Sequence, residues 1–225
     1  MKQISPSKIV CVGRNYAKHA AELGGEVPDE PLIFFKPPSS LIGEGEPIVM
    51  PPISNRVDFE GEIGVLIGKR ACKVPASEAW SYVEALVPVN DVTARDLQNI
   101  DDQWARAKGF DTFCAVGVPV PLKEIDRSSL AVVTRVNGVI KQEGDAEDMV
   151  FDIPTIIEYI SAIMTLEPGD LIATGTPDGV APLKDGDVVE IDVFGVGSVK
   201  NPVVQGCCPR LVVGSARFHR FRSRK

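Results

Sequence analysis

Only one stretch of this chain keeps a helical period over several turns. Asp152 is followed by Ile153, Ile156, Ile157, Ile160, Ile163 and Met164, a spacing that puts the apolar side chains on one helix face. Asp152 is itself a good N-cap. Elsewhere the apolar residues come in short runs closed by glycine, proline or a turn, which is the signature of strands. Ile9 to Gly13, Leu32 to Phe35 before Pro37-Pro38, Val87 to Asn90, Leu171 to Thr174 and Val188 to Val193 read this way, and Val57 to Ile67 alternates as a strand. Leu130 to Val136 meets Val139 onwards through Asn137-Gly138, a strong hairpin signal. Shorter helices are expected from Asn15 to Leu23, from Ser77 to about Leu86 and near Arg95 to Ala107, with a Gly- and Pro-rich loop running to Pro52. The expectation is an α+β, β-rich chain with a few packed helices.

The chain has 225 residues, enough for one or two domains with a substantial core. Its 44% apolar and 24% charged residues exclude disorder and a disulfide scaffold. No apolar run approaches the roughly 18 residues of a membrane span. Met1 to Pro6 lacks the apolar core and cleavage pattern of a signal peptide, so a cytoplasmic location is expected. The net charge of -7 argues against a nucleic-acid partner. That charge is unevenly spread. Residues 205–225 carry six basic residues and no acid, so the remainder has 18 basic and 31 acidic residues and a net charge of -13. This segment also holds Cys207, Cys208 and His219 and loses periodicity after Val213. It reads as a basic tail outside a single domain of residues 1–204. A tail that binds acidic surfaces is the other reading.

Outside the tail the chain has one histidine, His19, and three scattered cysteines, Cys11, Cys72 and Cys114. None has metal-binding spacing, so a metal would need oxygen ligands, which favours magnesium, manganese or calcium. Asp58, Glu60 and Glu62 alternate with Phe59, Ile63 and Val65 on the strand facing the other way. They form a solvated strand face, or Glu60 and Glu62 hold a divalent cation with a third acid arriving from elsewhere; Gly61 and Gly64 fit close approach of a ligand or of another backbone. Asp91, at a strand end, is either a helix N-cap or that third acid. Arg95 and Gln98 share a helix face, where Arg95 can clamp a carboxylate or lie exposed. His19 and Glu22 are also three apart: a surface pair, or a base whose tautomer a carboxylate fixes. Thr174-Gly175-Thr176-Pro177 is a tight turn or a set of donors to an anion. Lys108 alone reads as a surface lysine. Gly13-Arg14-Asn15-Tyr16 lacks the glycine spacing of a dinucleotide site.

Taken together, Val12 to His19, Phe35-Lys36-Pro37, Asp58 to Gly64, Asn90 to Asp96 and Ala173 to Pro177 occur in the order found in the fumarylacetoacetate hydrolase family. The chain resembles that family from about residue 8 to 204, most closely its small acylpyruvase and oxaloacetate decarboxylase members. The resemblance implies a mixed β-roll of twisted sheets, usually a homodimer, with Mg2+ or Mn2+ bound by Glu60, Glu62 and Asp91. It implies a water-activating dyad of His19 and Glu22 on a short helix that orders over bound ligand. It places Lys108, Arg95, Gln98 and Thr176 at substrate-contacting positions, Lys108 as the catalytic cation. None of these positions is substituted here; the departure is the tail. The activity implied is metal-dependent carbon–carbon cleavage of a small 2-oxo acid: acylpyruvate hydrolysis to pyruvate and an acid, oxaloacetate decarboxylation, or both. The alternatives are an isomerase or tautomerase acting on an intermediate such as 2-hydroxyhepta-2,4-diene-1,7-dioate, a fumarylpyruvate hydrolase, or a non-catalytic oxo-acid-binding protein. Selectivity for the distal group is expected in loops such as 36–56 and 141–150.

Overall fold

A computed structural model of the chain describes residues 4–22 and 24–206. In chain order the elements are β1 (Ile9–Gly13), α1 (Ala17–Glu22), β2 (Leu32–Lys36), β3 (Leu41–Ile42), β4 (Ile48–Met50), β5 (Val57–Asp58), β6 (Gly61–Ile67), β7 (Val83–Asp91) and β8 (Thr93–Ala94). They continue with α2 (Arg95–Gln98), α3 (Ala105–Lys108), β9 (Cys114–Val116), β10 (Val120–Pro121), β11 (Ala131–Val136), β12 (Val139–Asp145), α4 (Ile153–Ile163), β13 (Leu171–Ala173), β14 (Val188–Val193) and β15 (Gly197–Gln205). The larger sheet runs β2-β1-β13-β6-β7-β9-β3, with β10 added beside β7. The second runs β12-β11-β14-β15-β4, and β5 and β8 form a separate pair. No helix among the described residues is long and apolar enough to cross a membrane.

The core lies between the sheets. Every residue of β6 is buried, and so is all of β7 except Glu84, so both faces of the central strands are covered. Gly61 marks the closest approach. A Cβ there would stand 2.1 Å from Thr134 Oγ1 of β11, so only glycine fits between the sheets. At Gly64 a Cβ would meet Val87 and Val89 of β7. Both glycines therefore make room for protein, not for a ligand. The expected hairpin forms with Asn137 at φ 51° and Gly138 at φ 79°, the positive pair a tight two-residue turn requires. Asp152 Oδ1 accepts from Thr155 N at 2.9 Å and caps α4. Ile153, Ile156, Ile157 and Ile160 of that helix are buried; Ile163, expected on the same face, is exposed at its last residue.

Several expectations need correction. The segment expected as a helix from Ser77 to Leu86 is a 3-10 turn over Ala76–Tyr82, and Val83 onward already belongs to β7. The helix expected over Arg95 to Ala107 is two four-residue helices separated by irregular chain. The Gly/Pro-rich loop before Pro52 contains β3 and β4, which exist through parallel pairing with β9 and β15. The strand read from Val57 to Ile67 is broken at Phe59-Glu60. Gln205 pairs with Met50 as the last residue of β15, so the folded unit reaches one residue past 204. The rest of the basic tail, from Cys207, including Cys208, His219 and Val213, lies outside the described residues, as does Leu23.

Candidate active site

Glu60 and Glu62 flank Gly61 at the start of β6, and Asp91 ends the neighbouring β7. One oxygen from each of the three carboxylates lies within 4.8 Å of the others. All three side chains are buried, as is Asp58, which rules out a solvated strand face. Asp91 is not an N-cap either, because Ala94 precedes α2. Asp58 stands apart from the cluster. Arg56 spans its two oxygens at 2.9 and 3.0 Å, and Arg95 Nε donates to Oδ2 at 3.0 Å.

Buried acids of one sign need compensation. Lys108 Nζ, also buried, donates to Glu60 Oε2 at 2.8 Å and to Asp91 Oδ2 at 2.6 Å. Arg95 donates to Glu60 Oε1 at 2.5 Å and to Gln98 Oε1 at 2.6 Å. Burial alone would raise the Glu60 pKa, but Lys108 and Arg95 overcome it and hold the carboxyl well below its usual range. Glu62 goes the other way. Burial, then Asp91 and Glu60, push it well above 4.5, and Gly175 N–H at 2.9 Å gives only partial relief. Burial lowers the Lys108 pKa, yet Asp91 and Glu60 more than offset this and it stays charged.

Asp91 Oδ1 is buried, and the Lys36 ammonium lies 2.7 Å from it as an ion pair. Lys36 Nζ also donates to Val92 O at 3.1 Å. Three clustered carboxylates, one of which resists ionisation without a cation beside it, are hard oxygen donors that suit Mg2+ or Mn2+. The residues therefore fit a divalent cation.

α1 carries His19 and Glu22. His19 Nδ1 lies 3.3 Å from Glu22 Oε2, and since a carboxylate only accepts, Nδ1 carries the proton and Nε2 the lone pair. Gly179 N–H is shared between both Glu22 oxygens, at 3.1 Å from Oε2 and 3.2 Å from Oε1. Burial, reinforced by Arg95 and opposed by Glu60 and Glu22, pushes His19 below 6.5 and leaves the imidazole neutral at pH 7. The Thr174–Pro177 loop spends its donors on the protein. Thr174 Oγ1 donates to Ile63 O, Gly175 N–H serves Glu62, and Thr176 Oγ1 donates to Gly61 O at 2.9 Å while accepting from Gln142 Nε2 at 2.7 Å. The group it holds is the Glu62 carboxyl.

His19, Glu22, Glu60, Glu62, Arg95, Gln98, Lys108 and Thr176 all line one cavity of about 460 Å³, with Asp91 behind its floor. Phe34 and Trp104 form an apolar wall, their rings edge to face at 5.2 Å, and Lys108 Nζ sits 4.8 Å from the Phe34 centroid. Loop 141–150 supplies no lining residue, and segment 36–56 supplies only Arg56. The sequence reading missed Lys36, Asn90 and Gln142. Asn90 Oδ1 takes Glu60 N–H at 3.0 Å, and Gln142 Oε1 takes Gly61 N–H at 3.0 Å. Phe35-Lys36-Pro37 was visible as a motif, but nothing local says that its lysine is buried.

The model of the fumarylacetoacetate (FAA) hydrolase C-terminal family matches residues 8–204. A mitochondrial oxaloacetate decarboxylase of Dictyostelium discoideum is 45% identical over 195 residues, 84% of this chain and 89% of that protein. The mitochondrial oxaloacetate tautomerase of Homo sapiens is 43% identical over 196 residues, 85% and 89% of the two chains. Among solved structures, a 5-carboxymethyl-2-hydroxymuconate delta-isomerase from Mycobacterium smegmatis superposes with a TM-score of 0.84 at 44% identity, covering 91% of this chain and 81% of that one. A fumarylpyruvate hydrolase from Pseudomonas aeruginosa in complex with Mn2+ and pyruvate gives 0.84 at 26% identity, covering 92% and 99%.

Proposed function

The chain belongs to the fumarylacetoacetate hydrolase family, and we propose that it is a metal-dependent enzyme that breaks a carbon–carbon bond in a small 2-oxo acid through an enolate. The observation that carries this reading is the cluster of Glu60, Glu62 and Asp91, with a lysine ammonium against two of the three and a neutral histidine in the same cavity. Glu60, Glu62 and Asp91 would hold Mg2+ or Mn2+. When bound, the cation polarises the carbonyl beside the 2-oxo acid's carboxylate and favours its enolate.

The protein's own groups do the rest. Lys108 is held charged and buried, so it stabilises negative charge developing on the substrate oxygen more strongly than it would in water. His19 Nε2 removes a proton from water, and Glu22 stabilises the imidazolium that results. In acylpyruvate hydrolysis that water adds to the distal carbonyl. The bond to the methylene carbon then breaks, its electron pair passes into the pyruvate enolate, and protonation of that enolate gives pyruvate beside the released acid. In oxaloacetate decarboxylation the same enolate forms by loss of carbon dioxide, without attack by water. Arg95 and Gln98, joined to each other, offer polar contacts to the substrate, and Thr176, whose hydroxyl is spent on Gly61 O and Gln142, shapes the cavity wall. Phe34 and Trp104 limit water around it.

A second reading, keto–enol tautomerisation of the same acid, is favoured by the tautomerase and isomerase relatives and needs only a base and an enolate-stabilising site. A steady-state panel of acetylpyruvate, fumarylpyruvate and oxaloacetate with Mg2+ and with Mn2+, scored separately for cleavage and for tautomerisation, tests both. Metal-dependent cleavage of at least one acid is expected. Tautomerisation without cleavage would replace the first reading by the second, and no turnover of any acid would refute both.

A further inference from the structure

We propose that Arg14 sets the substrate class of this site by binding the distal carboxylate of a 2-oxo dicarboxylic acid. The inference rests on the reading of the cavity as a 2-oxo acid site and goes beyond it to the far end of the substrate.

Four permanent cations line the cavity: Arg14, Arg56, Arg95 and Lys108. Three are committed to the protein. Lys108 is balanced by Glu60 and Asp91, Arg95 by Asp58 and Glu60, and Arg56 lies along both oxygens of Asp58. Arg14 differs. Among the described residues its guanidinium has no hydrogen-bond or ion-pair partner, although it faces a cavity rich in acids. It is the cation left for an anion that comes from outside.

The backbone is arranged to keep it there. Arg14 sits at φ 56°, the left-handed region, which costs a non-glycine residue energy and persists only where the surroundings enforce it. Its neighbours enforce it. Asn15 is buried, donates to Phe151 O and Thr174 O at 3.0 and 2.8 Å, and accepts from Phe151 N at 2.8 Å. Gly13 lies directly under Trp104, where a Cβ would come within 2.9 Å of the indole ring. The guanidinium itself rests over Gly25, where a Cβ would stand 3.0 Å from Arg14 Cζ, so the bare backbone gives it room. Arg14 thus emerges beside the aromatic wall of Phe34 and Trp104, where the carbon chain of a substrate would run.

The chemistry selects for charge. A neutral distal acyl group leaves Arg14 without a partner in a partly closed cavity. A carboxylate there can accept two parallel N–H bonds in the geometry a guanidinium presents. Such charge-assisted bonds exceed neutral ones by roughly an order of magnitude or more in affinity.

The test is binding of two five-carbon 2-oxo acids, 2-oxoglutarate and 2-oxopentanoate, to the Mg2+-loaded full chain by isothermal titration calorimetry. The two acids differ by a carboxylate in place of a methyl group. Wild type is expected to bind the diacid at least ~10-fold more tightly. Arg14→Asn, which tolerates the left-handed backbone, should bring the ratio within about threefold by weakening the diacid alone, and Arg14→Lys should keep part of the preference. The inference is overturned if wild type shows no preference, if the preference survives in Arg14→Asn, or if neither acid binds. It fails independently of the reaction assignment. Cleavage of 2-oxo acids without a diacid preference removes only the role of Arg14, whereas a preference that depends on Arg14 without cleavage removes only the reaction.

Discussion

Replacing Lys108 by methionine should destabilise the metal-free protein, tighten its grip on metal and slow its chemistry, all at once. The side chain is buried, with Nζ 2.8 Å from Glu60 Oε2 and 2.6 Å from Asp91 Oδ2. Removing one partner from a buried ion pair costs about 3–5 kcal/mol. In a domain of this size each kcal/mol moves the melting temperature by about 2–4 °C, so a fall of roughly 6–20 °C is expected in the presence of chelator. The same two carboxylates are proposed metal ligands, and the ammonium beside them repels a cation. Two unit charges 4 Å apart interact by about 4 kcal/mol at an effective dielectric of 20, so a gain of at least ~10-fold in metal affinity is a modest expectation. Turnover should drop by roughly 10² to 10³, the size of losing one stabiliser of developing negative charge. Thermal melts with EDTA and with increasing Mg2+, together with calorimetric metal titration, read the first two effects. Weaker metal binding in Lys108→Met, or an unchanged melting temperature under EDTA, would refute the view that lysine and metal compete for the same oxygens.

Asp91→Ala should lower the melting temperature, since it leaves the buried Lys36 and Lys108 without their shared carboxylate, and should abolish metal-dependent turnover at temperatures where the chain is still folded, because affinity at a three-carboxylate site follows ligand charge; full activity at low metal concentration would exclude Asp91 as a ligand. His19→Ala should cost acylpyruvate hydrolysis roughly 10² to 10⁴ and oxaloacetate decarboxylation less, since only the former needs an activated water. Equal losses in the two steady-state assays would give His19 a different role. Metal affinity should rise with pH. Burial, then Asp91 and Glu60, keep Glu62 protonated above 4.5 in the metal-free fold, so a cation must displace that proton. The Mg2+-induced gain in melting temperature should therefore be larger at pH 8 than at pH 6, with proton release visible in buffers of different ionisation enthalpy. Equal gains and no release would contradict the raised Glu62.

What could be read from the sequence followed from local patterns. Asp152 and its isoleucines declare α4, and Asn137-Gly138 declares the hairpin, because cap and turn chemistry are short-range. β7 was half missed for the opposite reason. Buried on both faces, it has no alternation, and Ser77 with Glu78 before it imitates a helix start. β3 and β4 are two and three residues long and are strands only because distant β9 and β15 lie alongside them. In the site, the spacing of Glu60 and Glu62 exposed the acids, but the break at Phe59-Glu60 that sends Asp58 to Arg56 and Arg95 left no mark in the alternation. Lys36 and Lys108 look like surface residues until the sheet brings Asp91 to them.

Gly61 sits between two proposed ligands, and the second sheet grips it on three sides. Its N–H goes to Gln142, its carbonyl takes the Thr176 hydroxyl that Gln142 also holds, and Thr134 fills the space where a side chain would be. The distance between Glu60 and Glu62 is therefore set from the far side of the core, as a vice sets the gap between its jaws. Retuning the preference for a smaller or larger cation would not require touching any carboxylate. Changes at residues 134 and 142, which never face the cavity, would shift the spacing, and variation in the β11–β12 hairpin is where selection or a designer would find that adjustment.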